Sequence, residues 1–173
     1  MSSDDHEQFV GHYEENKDKV FTYLMYRLNF NREVCEDLLM DIFLKAYEHF
    51  HTFDSNKGSF KNWIFRIAHN HLVNFWRDDK KEASLDEIEE DSKIEAVSID
   101  ETISDQIIDE QIQHVLSLLS DTEREIITLR YLNDFSYQEI AEILNKNEGA
   151  VRTSLSRALE QFKKIYQKVF SNE

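Results

Sequence analysis

Across 173 residues the chain contains no proline and only three glycines, Gly11, Gly58 and Gly149. Proline is the residue that ends or kinks helices, and glycine-bearing two-residue turns are what close hairpins. With Leu, Ile, Glu, Lys and Gln plentiful, this balance favours helix and gives almost no hairpin chemistry, so the fold class expected is all-α. A hydrophobic share of 40% is enough to bury a core in one ordinary domain or in two small ones. The lone cysteine, Cys35, cannot form an internal disulfide and reads as a small core residue. No apolar run approaches the roughly 18 residues that a membrane span needs. The opening stretch "MSSDDHEQFVGHYEENKDKV" lacks a basic start followed by an apolar run, so no secretory leader is visible and a cytoplasmic protein is expected.

The formal net charge of -15 is unevenly spread. Residues 1–77 carry 9 basic and 12 acidic side chains, residues 78–110 carry 3 and 14, and residues 111–173 carry 8 and 9. The middle segment has too few large apolar residues to build a core and is expected to be a flexible acidic linker between two small, nearly neutral helical domains at 1–77 and 111–173. Fields from exposed charges decay within about 10 Å at moderate salt, so the acidic total says little about the binding face of either domain.

In the first domain, "EDLLMDIFLKAYEHF" at residues 36–50 can be laid on a helix. Leu38, Leu39, Ile42, Phe43, Ala46 and Tyr47 then share a core face. The opposite stripe holds Asp37, Met40, Asp41, Leu44 and Glu48, an acidic surface bearing two large apolar side chains. It is either a solvated face with incidental Leu and Met or a docking surface for a basic partner helix. From Ser55 to Arg77 there is no acidic residue, while Lys57, Lys61, Arg66 and Arg77 supply cations and Asn62, Asn70 and Asn74 supply amides. Phe53 precedes this helix on "FDSNKGS", where Gly58 permits an unusual backbone and side chains can reach outward. Cations for phosphates, amides for base edges and an outward ring for stacking are the elements of a single-stranded nucleic-acid site.

The second domain contains two capping boxes, Ser120 to Glu123 and Ser136 to Glu139. A short helix after Ser136 is expected to bury Tyr137, Ile140, Ala141 and Leu144, and it breaks at "NKN". A second short helix, on "NEGAVRTSLSRALEQF", is expected to bury Val151, Leu155, Leu159 and Phe162 and to present an acid-free basic face with Arg152, Thr153, Ser156 and Arg157. Two such helices joined by a tight turn match a helix-turn-helix, with Gly149 letting backbone N–H groups approach a phosphate. A plain helical hairpin with ordinary surface arginines is the other reading.

At this point the chain resembles the extracytoplasmic-function sigma factors of bacterial RNA polymerase, in the sigma-70 family. The residues that carry the likeness are "EDLLMDIFLKAYEHFHTFDSNKGSFKNWIFRIAHN" for the second conserved region and "LSDTEREIITLRYLNDFSYQEIAEILNKNEGAVRTSLSRALEQF" for the fourth. The resemblance implies a helical region 2 bundle that docks on core RNA polymerase and a region 4 helix-turn-helix. It assigns Asp37, Met40, Asp41, Leu44 and Glu48 to the clamp helices of the β′ subunit. It assigns Phe53, Lys57, Lys61, Asn62, Arg66, Asn70, Asn74 and Arg77 to the promoter −10 element, held as single strand with a flipped base between the loop and the region of Asn70. Gly149, Arg152, Thr153, Ser154, Ser156 and Arg157 would meet the −35 element as duplex. Its partners would be core polymerase, including the β flap, promoter DNA and an anti-sigma factor, with no metal, cofactor or catalytic residue. Met40 stands where the family commonly has a glutamine, and Ser154 where it often has an arginine.

A helix-turn-helix regulator acting without polymerase is the alternative, and it leaves both faces of the first domain without a role. An enzyme is not expected. The pairs "HFH" at 49–51 and "HNH" at 69–71 point about 200° apart on a helix and cannot easily share one metal ion.

Overall fold

The computed structural model describes residues 3–83 and 110–170; the expected linker, apart from its two ends, lies outside the described residues. Among those described there is no strand. Helix α1 spans Ser3–Arg27, α2 Arg32–Glu48 and α3 Phe60–Ala83, with a single 3-10 turn at Phe50–Thr52. Helix α3 therefore runs six residues beyond position 77. The second half holds α4 (Glu110–Ser117), α5 (Asp121–Ile127) continuing into a π-helical turn at Thr128–Leu132, α6 (Tyr137–Ile143) and α7 (Glu148–Phe170).

With so little glycine, helix ends are built from side-chain caps and from asparagine. Helix α1 carries Asp4 and Asp5 in its first turn and Arg27 in its last, each charge matched to the helix dipole. It ends at Asn29, whose φ of 50° lets Phe30 N–H return to Met25 O at 2.8 Å. Asn145, at φ 51°, ends α6 the same way, with Lys146 N–H on Ala141 O at 2.8 Å. Asn31 caps α2 through Val34 N–H, and both expected capping boxes form on α5 and α6. Asn147 caps α7, its Oδ1 accepting from Ala150 N–H at 2.7 Å.

In the first half, α1, α2 and α3 pack around Val20, Leu24, Cys35, Leu38, Ile42, Phe43, Ala46, Phe60, Ile64, Ala68 and Leu72, all buried. Burial pushes the Cys35 thiol up to about 12, so it is packing material and a poor nucleophile. In the second half α5 and α6 pack on α7. Helix α7 is 23 residues long rather than short. It buries Val151, Leu155 and Ala158, while Leu159, expected inside, is 37% exposed. A step of three from Leu155 keeps to the 3.6-residue period here, and a step of four rotates Leu159 off the seam.

The two halves also pack on each other and share one hydrophobic cluster. Phe65 of α3 meets Phe135 edge-on at 4.8 Å, and both are fully buried. The π-helical turn makes this possible: Asn133 N–H returns five residues to Thr128 O, and Asp134 follows at φ 56°. The extra residue swings Asn133 and Phe135 toward the first half.

Beside them Glu125, 5% exposed, receives three donors from the first half. Tyr23 Oη donates at 2.5 Å, His69 Nδ1 lies at 2.8 Å and Arg27 Nη2 at 3.5 Å. Burial alone would raise the Glu125 carboxyl, but its His69, Arg27 and Tyr23 partners outweigh it and hold the group below the ordinary carboxylate value. Burial, together with the negative charge of Glu125, pushes the Tyr23 phenol well above its usual value. Arg124 faces away from this group. Its guanidinium takes the carbonyls of Leu116, Ser117 and Leu119 at the end of α4 and reaches Asn29 Oδ1 at 2.7 Å.

Candidate core-docking and nucleic-acid interfaces

The stripe on α2 faces solvent. Asp37, Met40, Asp41, Leu44 and Glu48 are all exposed, and Met40 and Leu44 are so by 72% and 58%. Those values exceed what isolated rim residues need, and the two side chains lie one turn apart with carboxylates around them. The surface is an apolar contact bordered by negative charge, complementary to a basic amphipathic helix. His71 of α3 backs it, Nε2 lying 3.8 Å from Asp41 Oδ2. Burial lowers the His71 pKa, with Asp41 acting in the opposite sense, so at neutral pH the imidazole leaves the negative charge of Asp41 facing outward.

The loop after α2 is ordered by its own groups. Asp54 accepts from Asn56 N–H at 3.0 Å, Lys57 N–H returns to Asp54 O, and Ser59 Oγ caps α3 through Asn62 N–H. Gly58 sits at φ 157°, a conformation L side chains rarely adopt. Phe53 does not reach outward as expected. The 3-10 turn folds it back, and its half-buried ring packs on Phe60 at 5.5 Å and Trp63 at 5.4 Å. One side of that ring still lines a cavity of about 320 Å³ together with Lys57, Gly58, Asn62, Trp63 and Arg66. Two cations, an amide and two rings thus converge, with the carboxylates of Asp54 and Glu142 beside them, where a single base and its phosphate could sit.

The remaining expected residues of this face divide. Arg66, Asn70 and Arg77 are exposed and Asn74 is half-buried; of these only Arg66 lines the cavity. Lys61 and Asn62 are turned toward the second half. Lys61 Nζ donates to Asn133 O and lies 4.3 Å from the Phe135 ring centroid. Asn62 Nδ2 donates to Glu142 Oε2 at 2.5 Å.

On α7, Arg152, Thr153, Ser156 and Arg157 are exposed and Ser154 is half-buried. The face is not acid-free. Glu148 lies one turn before Arg152 and accepts from its Nε and Nη2 at 3.1 and 2.6 Å. Arg152 also stacks over Tyr137 at 4.1 Å, tying α7 to α6, and Tyr137, expected inside, is half-buried. Thr153 Oγ1 donates back to Gly149 O, while Arg157 projects from the helix unshielded by its neighbours' burial.

Sequence reasoning missed Tyr23, His69, Glu125, Asn133, Phe135 and Asn147. Asn147 was readable as an asparagine just ahead of an apolar-periodic run. The others act across the contact between the halves, which no local spacing reveals. Among the described residues no cluster of His, Cys, Asp and Glu could hold a metal, and no helix is long and apolar enough to cross a membrane.

Comparison with known proteins agrees with this arrangement. The family described as Sigma-70 region 2 matches residues 12–82, and that described as Sigma-70, region 4 matches residues 109–162. The ECF RNA polymerase sigma factor SigW of Bacillus subtilis is 31% identical over 159 residues, covering 86% of this chain and 83% of the relative. SigM of the same organism is 29% identical over 161 residues, covering 93% and 96%. In fold, the chain is similar to the sigma factor RpoE of Bartonella quintana in complex with the anti-sigma factor NepR, with a TM-score of 0.79 at 22% identity, covering 95% of this chain and 99% of that one. The chain belongs to the ECF RNA polymerase sigma factors of the sigma-70 family, and it directs promoter-specific transcription.

Proposed function

We propose that this sigma factor docks on core RNA polymerase through the α2 stripe, Asp37, Met40, Asp41, Leu44 and Glu48, laid against the β′ clamp helices, with the region 4 half meeting the β flap. Loop 53–59 and α3 then hold the −10 element as single strand, through Phe53, Lys57, Lys61, Asn62, Arg66, Asn70, Asn74 and Arg77. Helix α7 reads the −35 element as duplex with Arg152, Thr153, Ser154, Ser156 and Arg157. It works in the cytoplasm and supplies no catalytic group of its own. An anti-sigma factor is a partner class supported by the RpoE complex.

The observation that carries this is the exposure of Met40 and Leu44 among carboxylates. A regulator acting alone has no use for such a stripe. The net charge of -15 fits the same division of labour. A free chain that neutralises few phosphates binds DNA weakly, and core polymerase supplies the phosphate contacts while this chain selects bases. The test is co-elution with core RNA polymerase followed by transcription from a random promoter library. Binding with a recovered two-block motif supports the proposal; absence of binding by a chain with an intact helical circular-dichroism signal overturns it.

A further inference from the structure

We propose that Met40 is a reversible oxidation site through which a peroxide controls docking of the chain on core RNA polymerase. This rests on the assignment of the α2 stripe to core binding above. The chain holds three methionines and one cysteine. Met1 lies outside the described residues. Met25 is 8% exposed and Cys35 is fully buried, whereas Met40 is 72% exposed. Thiols react as thiolates, and burial keeps the Cys35 thiol protonated. Oxidation of a thioether needs only access for the oxidant. Among the described sulfur atoms, peroxide chemistry is therefore directed to the docking stripe.

The step is a two-electron oxygen transfer. A lone pair on the Met40 sulfur attacks one oxygen of hydrogen peroxide, the O–O bond breaks and an S–O bond forms. The other oxygen leaves as water with both protons of the peroxide, so the thioether is oxidised to a sulfoxide and the peroxide is reduced. A dithiol enzyme of the methionine sulfoxide reductase class reverses it: the sulfoxide oxygen leaves as water while the dithiol closes to a disulfide. The consequence follows from position. Met40 and Leu44 lie one turn apart and are the apolar part of the stripe, with Asp37 one turn before Met40. The apolar side of a partner helix settles there. A sulfoxide oxygen accepts hydrogen bonds and donates none, and the carboxylates beside it offer no donor either. Burying that oxygen against apolar groups carries a desolvation cost that burying the flexible thioether does not. The packed side of α2, with Leu38, Ile42 and Ala46, is untouched by the change. Docking covers Met40, so the form of the chain that the oxidant reaches is the one not yet bound to core.

The test treats the full chain with hydrogen peroxide, removes the peroxide, locates the sulfoxide by peptide mass spectrometry and measures co-elution with core polymerase over a concentration series. Met40 should take up one oxygen before Met25 does. The oxidised chain should bind core about tenfold more weakly or worse, the size of one lost apolar contact, with its helical circular-dichroism signal unchanged. Methionine sulfoxide reductases A and B with dithiothreitol should restore binding. Met40→Leu keeps an apolar side chain and lacks the sulfur; compared with itself before and after peroxide, its affinity should not respond. Peroxide applied to the assembled holoenzyme should oxidise Met40 several-fold more slowly than in the free chain. Protection of Met40 in the holoenzyme, together with equal core binding by oxidised and untreated chains, would overturn the oxidation control and leave the docking assignment standing. Equal oxidation of Met40 in holoenzyme and free chain would overturn the docking assignment, and the control with it. A loss of binding that Met40→Leu shares, or that comes with a fallen helical signal, would place the damage elsewhere and overturn the proposal.

Discussion

Helices α2 and α3 belong to the same bundle and both bury one apolar face, yet their outer faces meet different fates. The α2 stripe stands in solvent with Met40 and Leu44 uncovered. The α3 face is partly spent, with Lys61 and Asn62 bonded to the second half and Phe65 sealed beneath Phe135. The difference teaches that pattern alone does not say whether a functional face is available. Among the described residues no basic helix covers the stripe of acids with its two apolar residues, whereas Lys61 and Asn62 find the Asn133 carbonyl in the turn before α6 and the Glu142 carboxylate on α6. The chain's own charge imbalance thus decides which face is left for a partner.

The largest expected effect breaks the covered side of this comparison. Glu125→Ala leaves the buried Arg27 guanidinium without its counter-charge, with only Asp121 O and the Trp76 ring beside it, and half-buried His69 without its acceptor; removing one member of a buried pair costs about 3–5 kcal/mol. Urea unfolding should show that loss, and Tyr23→Phe should show much less because only a hydrogen bond goes. The pH dependence has a definite sign. The folded Glu125 carboxyl titrates below its usual 4.5, so its contribution is present above that value and is lost as pH falls through the lower, folded one. Acid should therefore weaken the contact between the halves. Glu125→Gln should flatten that acid limb of the stability profile.

Next comes the open side. Leu44→Glu should abolish co-elution with core polymerase. Burying a leucine is worth about 1.5–3 kcal/mol and a stranded carboxylate adds desolvation cost, together on the order of a 100-fold loss. The exposed position predicts an unchanged helical signal and unchanged unfolding. If stability fell along with binding, Leu44 would belong to the fold and the contrast between the two helices would fail.

How much of this was legible follows the same division between local and distant signals. Helices α2, α3, α5 and α6, the start of α7, both capping boxes and the two faces of α2 follow from spacing, because each depends on residues within a turn or two of one another. Ala158 replacing Leu159 in the seam is a phase error within one helix. The break at Asn145 was read from "NKN", whereas the Asn29 end was hidden because asparagine there does work usually signalled by glycine. Phe53 was misplaced since a 3-10 turn, which has no sharp sequence mark, folds it back onto Phe60. The contact between the halves was not readable at all: Glu125 meets Tyr23 from 102 positions away.

A smaller effect tests α7 as a second open face. Arg157→Ala should reduce transcription at promoters that depend on the upstream element by about 5- to 100-fold, the value of one base contact at 1–3 kcal/mol, with core binding unchanged. Arg152→Ala should act differently, since its guanidinium is already shared between Glu148 and Tyr137. Part of its loss should appear as reduced stability of the α6–α7 pair rather than as altered promoter choice.

The smallest effect sharpens the comparison from the covering side. Ser136 caps α6 by accepting from Glu139 N–H at 3.2 Å, while Glu139 returns to Ser136 N–H at 2.8 Å. Ser136→Ala removes one half of that box and should cost about 1 kcal/mol of helix stability. Helix α6 is only seven residues long, so the loss falls on the element that covers Lys61 and Asn62. Hydrogen exchange should rise in α6 and in the start of α3, and remain unchanged in α2. Faster exchange in α2 as well would mean that the bundle opens as one unit, and that the two faces differ in partners but not in stability.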